Sequence, residues 1–236
     1  MLAAYPIRLA SQALQDETFV RWTLDDLIDA LNASLLALVE VRPDANSTTE
    51  ADQLAAGTRQ ALPEGGIRLL NVIRNMGADG ATPGRVITLA QRNSFDLNRP
   101  GWHTDTAKTA IRHWIFDNRS PRDYYVYPPV HATTAVWAEI LYSKEPDLIP
   151  STTDSPAYDA DDTEMGVSGS FVNPILEFML YRAYQRDGET ANAMLAAQHL
   201  QQFYALLGIG SQKASLHSQE NRDRPYSPAE TNAMEV

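Results

Sequence analysis

A chain of 236 residues, 44% of them apolar, can form one large domain or two small ones around an ordinary core, which excludes disorder of the whole chain. It contains no cysteine, so disulfides, thiolate metal sites and cysteine nucleophiles are excluded together, and a formal charge of -11 argues against a general nucleic-acid binder, which needs clustered Lys and Arg. No apolar run reaches the length of a membrane span, and residues 1–8 lack a basic stretch followed by an apolar one, so neither a span nor a signal peptide is expected.

Residues 6–15 place Ile7, Ala10 and Leu14 on one stripe and predict a first helix. Thr23, followed by Leu24, Asp25 and Asp26, supplies a hydroxyl cap and first-turn carboxylates for a second. Its apolar face is Leu24, Leu27, Ile28, Leu31, Leu35 and Val39, leaving Asp25, Asp29 and Asn32 to water, and Arg42-Pro43 stops it. Residues 67–73 read as a strand between glycine-rich turns, residues 84–89 as another, and residues 93–97 as one helical turn. Residues 111–116 and 124–127 flank a loop and predict a hairpin, with residues 135–142 as a third neighbouring strand whose Val136, Ala138, Ile140 and Tyr142 share one face.

Residues 144–166 hold one basic and seven acidic residues, contain proline and show no periodicity, which predicts a long exposed loop. Two helices then return, over residues 171–186 and 189–207, joined tightly at Asp187-Gly188 and therefore antiparallel, the second ending at Gly208 and Gly210. The expected fold is α+β: mainly an α-helical bundle with an inserted small antiparallel β-sheet and a flexible C-terminal tail. Its parts are N-terminal bundle helices (1–43), a β-rich insertion (44–143), an acidic loop (144–168), a C-terminal helical hairpin (169–208) and the tail (209–236).

Chemistry-bearing patterns are sparse. The five histidines, His103, His113, His131, His199 and His217, lack the i, i+4 spacing of a zinc helix, and His199 reads as a surface or interface residue. The string around Ser168 misses the nucleophile elbow, and the glycines of residues 77–84 lack the Lys-Ser or Lys-Thr of a phosphate loop. The acidic cluster Asp154, Asp159, Asp161, Asp162 and Glu164 departs from calcium-loop order. No catalytic residue, cofactor or metal is therefore assigned.

Charge is unevenly distributed: residues 63–124 hold nine basic against six acidic residues, opposite in balance to the acidic loop. Subunits with faces of opposite sign suit heterologous self-contact. Arginine dominates the basic stretch, as Arg68, Arg74, Arg85, Arg92, Arg99, Arg112, Arg119 and Arg122, with Arg59 just before it. The planar fork suits carboxylates on a neighbouring copy, intrachain partners or passing DNA, and the sequence leaves these three open. Arg59, Arg74, Arg92, Arg119 and Arg122, with Asp159, Asp161 and Asp162, are the inter-subunit or channel candidates.

Six short strings stand in a fixed order: Arg21-Trp22, Arg42-Pro43-Asp44-Ala45, residues 57–63 (Gly-Thr-Arg-Gln-Ala-Leu-Pro), Arg74-Asn75-Met76-Gly77, residues 125–129 (Tyr-Val-Tyr-Pro-Pro) and residues 180–184 (Leu-Tyr-Arg-Ala-Tyr). Together, from about residue 14 to 208, the chain resembles the phage adaptor protein family, the head-to-tail connectors of short-tailed bacteriophages. The resemblance implies a structural virion protein and no enzyme. It implies a twelve-membered ring of this chain at the head-tail junction, assembled in the host cytoplasm, with the portal protein on one side and the tail nozzle protein on the other. DNA would pass through its channel without sequence-specific binding, and no membrane is involved. Two departures stand out, the acidic loop and the extension beyond Gly210. Connectors often thread a terminal extension into the portal, so Ser211, Leu216 and Tyr226 are portal-docking candidates that order on docking. A tail-nozzle or head-completion protein of the same neck region is an alternative, and a soluble α+β enzyme a further one.

Overall fold

The computed structural model describes residues 1–117, 119–151, 163–186 and 192–217. Helices α1 (Ala4–Ala13) and α2 (Leu24–Val41) open the chain, the short α3 (Arg92–Asn98) stands among the strands where one helical turn is expected, and α4 (Val172–Arg186) and α5 (Ala193–His217) follow the strands. Between α1 and α2 the carboxylate of Asp16 accepts the N–H groups of Val20, Arg21 and Trp22 at 3.0, 2.7 and 2.9 Å. These bonds, that from Trp22 foremost, hold the Asp16 carboxyl below its ordinary pKa. At the start of α2, Thr23 and Asp26 form a capping box, each side chain accepting the other's backbone N–H.

The face of α2 carrying Leu27, Ile28, Leu31, Leu35 and Leu38 is fully buried, against Ile175 and Met179 of α4 and Phe203 of α5. Phe178 meets Phe203 while Tyr184 lies over His199, so α4 and α5 run antiparallel. Asp187-Gly188, the expected tight connection, lies outside the described residues. At its far end α5 continues through Gly208 and Gly210 to His217, beyond the expected stop. A glycine inside a helix costs about 1 kcal/mol relative to alanine but removes no hydrogen bond, so it weakens a helix without ending it. Ser211 and Leu216 therefore lie on α5, while Tyr226 lies outside the described residues.

The sequence expectation of a mainly helical bundle with one small sheet is corrected: the chain is α+β with two four-stranded sheets. One runs in the order β1 (Ser47–Gln53), β8 (Trp137–Lys144), β3 (Gly66–Met76), β4 (Pro83–Val86); the other runs β2 (Gly57–Ala61), β7 (Asp123–Val130), β6 (His113–Phe116), β5 (Thr88–Leu89). Polar β1 and β2 show no apolar alternation; each is an edge strand held on one side, by β8 and β7, partners remote in sequence. The predicted hairpin is β6 and β7, antiparallel with Trp114 opposite Val126. Strand β8 does not join it as a third neighbour. It pairs with β1 and β3 in the opposite sheet, while Val136, Ala138, Ile140 and Tyr142 still point to one interior. The predicted strand over 84–89 divides at buried Ile87, β4 pairing with β3 and β5 with β6.

Leu69, Val72, Ala138, Ile140 and Tyr142 of one sheet pack with Trp114, Tyr124, Val126 and Val130 of the other, forming a second core apart from the helical one. The joint between them is short. Arg42, buried where α2 ends, clamps Asp44 through Nε at 2.8 Å and a second nitrogen at 2.6 Å and covers the Phe171 ring. Asn46 donates to the Lys144 carbonyl at 2.9 Å. Asn32, expected in water, instead bonds both backbone groups of Ile149 at 2.8 Å, so the part of the acidic loop nearest β8 is tied to α2.

Candidate functional site

The arginines sort by their partners. Arg59 on β2 reaches Asp123 at 3.2 Å, and Arg74 on β3 pairs with Glu139 on β8 at 2.8 Å. Arg92 reaches Asp96 one helical turn on and lies over the Tyr125 ring; Arg119 reaches Asp117 at 3.3 Å. Only Arg122 of the five candidates has no side-chain partner among the described residues. Arg59 and Arg119 are largely exposed, and such pairs contribute little to stability. Asp159, Asp161 and Asp162 lie outside the described residues.

Three cations not among those candidates converge elsewhere. Arg85 on β4, Lys108 in the segment before β6 and Arg112 beside β6 line a cavity of about 540 Å³ together with Arg99, Asp105 and Tyr127. Arg99 and the Tyr127 hydroxyl both donate to Asp105, at 2.6 and 3.0 Å, which consumes that carboxylate. Arg85, Lys108 and Arg112 are exposed and have no carboxylate partner among the described residues. Beneath them Phe95 packs on Trp102, His113 and Tyr127. Burial, then the Arg112 and Arg85 guanidinium charges, lowers the His113 pKa, so the imidazole is neutral at pH 7 and the net charge of the cluster comes from its three cations. Val86 and Leu89, on the same β4–β5 edge, are 62% and 61% exposed.

The opposite edge of the first sheet has the opposite sign. On β1, Glu50 accepts the Tyr142 hydroxyl at 2.9 Å and Asp52 lies two residues on, and neither has a cationic partner among the described residues. Burial and the adjacent Glu50 push Asp52 up to about 6, while burial and the bond to Glu50 push the Tyr142 hydroxyl up to about 12. Sequence pattern could not separate Arg85, Lys108 and Arg112 from their paired neighbours, because the sorting depends on which carboxylate each meets in the fold.

Other polar side chains pair locally. His103 bonds the Thr58 hydroxyl at 2.8 Å and stacks on buried Trp102, and His113 bonds Thr88 at 2.8 Å. Neither pair has an orienting carboxylate among the described residues, so neither forms a triad. His199, expected at a surface or interface, is tucked between α4 and α5, bonded to Glu177 at 2.7 Å and stacked on Tyr184. Arg186 pairs with Asp26 beside a cavity of about 370 Å³ lined by Trp22, Leu27 and Arg182. Among the described residues no group of three or more His, Asp or Glu is placed to hold a metal ion, and no helix is long and apolar enough to cross a membrane.

What this geometry can do is recognise charge: a basic cavity beside the β4–β5 edge, and an acidic strand, β1, at the far edge of the first sheet. A model of the family described as SU10 adaptor protein matches residues 7–231. No curated protein matches the chain.

Proposed function

Because the chain belongs to the SU10 adaptor protein family, a family of phage adaptors, we propose that it is a head-to-tail adaptor subunit, forming a ring between the portal and the tail nozzle. The family match over residues 7–231 carries this reading, since it spans both the helical and the sheet portions. A structural role in the phage particle follows from membership, and the ring, its twelve copies, its two neighbours and its DNA channel are the finer content of the proposal. The fold supports a geometric role. Opposed charges, acidic on β1 and basic around β4, suit repeated contact between identical subunits. Arg122, exposed and without a side-chain partner among the described residues, is the candidate best placed to meet DNA weakly in such a channel. The portal contact falls to Ser211 and Leu216 on α5 and to the extension bearing Tyr226.

The test is genetic and structural. Phage deprived of this chain should accumulate DNA-filled or leaking heads without tails, and supplying the chain should restore tailed particles. Averaged images of those particles should then show its ring between portal and nozzle. Tailed, infectious particles formed without the chain would refute the proposal.

A further inference from the structure

We infer that the acidic β1 edge of one copy docks on the basic β4–β5 edge of the next, a head-to-tail contact that builds the ring. The inference rests on the ring proposed above and names the surface that closes it. Four observations support it. Strand order β1-β8-β3-β4 puts β1 and the Arg85-bearing β4 at opposite ends of one sheet, while Lys108 and Arg112 stand beside β7 and β6 of the other. The β1 edge carries Glu50 and Asp52, with no cationic partner among the described residues. The cavity beside the β4–β5 edge is lined by Arg85, Lys108 and Arg112, with no carboxylate partner for them among the described residues. Val86 and Leu89 add exposed apolar surface to that edge.

Charge complementarity selects a second copy as the occupant. A twofold contact centred on either edge would set Glu50 and Asp52 against themselves, or Arg85 and Arg112 against themselves, and like charges oppose both. The acidic edge facing the basic edge matches sign on both sides and, with β1 and β4 at opposite ends of a sheet, repeats in one direction as the heterologous contact that a closed ring requires. A phosphate backbone would match the basic edge but leave the acidic edge without a role. Recognition is by side chains rather than by a continuous strand ladder, because Pro83 at the start of β4 has no N–H to offer an incoming strand.

Two full-length variants test it, Glu50→Lys/Asp52→Lys and Arg85→Glu/Arg112→Glu, each checked for folding by circular dichroism and supplied to phage lacking the wild-type chain. Each alone should be incorporated into particles about tenfold less than wild type, and an equal mixture should recover to within about twofold, because reversed acidic edges then meet reversed basic ones. Normal incorporation of either variant alone, or a mixture no better than its components, overturns the inference, as does a loss of DNA retention with ring incorporation unchanged. Should the variants not fold, the cysteine-free chain allows a second readout. In particles carrying Thr49→Cys/Val86→Cys, mild oxidation should give a ladder of disulfide-linked multimers that neither single variant gives. Monomer alone from ring-bearing particles sinks the edge assignment and spares the ring, whereas wild-type particles without any ring sink both.

Discussion

The carboxamide of Asn75 clasps the backbone of Ile111 at both ends. The Ile111 N–H donates to Asn75 Oδ1 at 2.7 Å, and Asn75 Nδ2 donates to the Ile111 carbonyl at 2.8 Å and to the Arg85 carbonyl at 2.9 Å. One buried side chain on β3 thus fixes β4 and the segment before β6, and with them Arg85 and Arg112. Asn75→Ala leaves the two buried backbone groups of Ile111 and the partly buried Arg85 carbonyl without this partner and should destabilise the fold by about 2–4 kcal/mol. Urea denaturation measures it, and a loss below about 0.5 kcal/mol would contradict the clasp.

Asp52 makes a prediction in pH. Its carboxyl is raised from 3.8 to about 6 by burial and by Glu50, so the folded chain holds this proton more tightly than the unfolded one. The stabilisation is fully present below about pH 4 and is lost as pH rises through about 6. Asp52→Asn should therefore be more stable than wild type at pH 7.5, by about 1–2 kcal/mol after allowance for solvent screening, with the gap closing toward pH 4. Denaturation midpoints of both proteins at the two pH values decide it, and a variant less stable at pH 7.5 refutes it.

Arg42 fixes the turn that leads from α2 into β1 through a fork that lysine cannot reproduce. Its bond to Asp44 holds the Asp44 carboxyl below its ordinary pKa, and its plane covers Phe171. Arg42→Lys should cost about 1–2 kcal/mol in thermal stability and Arg42→Met a similar amount. Equal melting temperatures for Arg42→Lys and wild type would show that the fork carries no weight.

Asn32 makes a local prediction. Asn32→Ala removes both bonds to Ile149 while leaving the apolar face of α2 intact. Amide exchange at Ile149 should accelerate about 10- to 50-fold, with exchange in β3 unchanged. Unaltered exchange at Ile149 would dismiss the tie.

Helices were legible wherever burial follows a 3.6-residue period. The α2 stripe and the Thr23 cap could be read directly, because the cap and its N–H partner stand three residues apart. The β6–β7 hairpin and the inward face of β8 were legible for the same local reason, a two-residue alternation. Strands β1 and β2 were not, since Ser-Thr-Thr-Glu-Ala-Asp-Gln becomes a strand only when β8 offers its free edge from some ninety residues away. The partner sheet of β8 was hidden too, because alternation tells which side chains are buried and not which backbone lies alongside. In the candidate site the arginines could be counted but not sorted. Arg74 and Arg85 look alike until Glu139 is found beside one and an open cavity beside the other.

The separation of the helical and sheet cores governs how such a chain can diverge. Substitutions in bodies that share few contacts combine additively, so the sandwich can be re-tailored to a new neighbour while the helices keep theirs. Lineages of this protein are then free to exchange one attachment at a time, provided the few residues from Arg42 to Asn46 continue to weld the halves together.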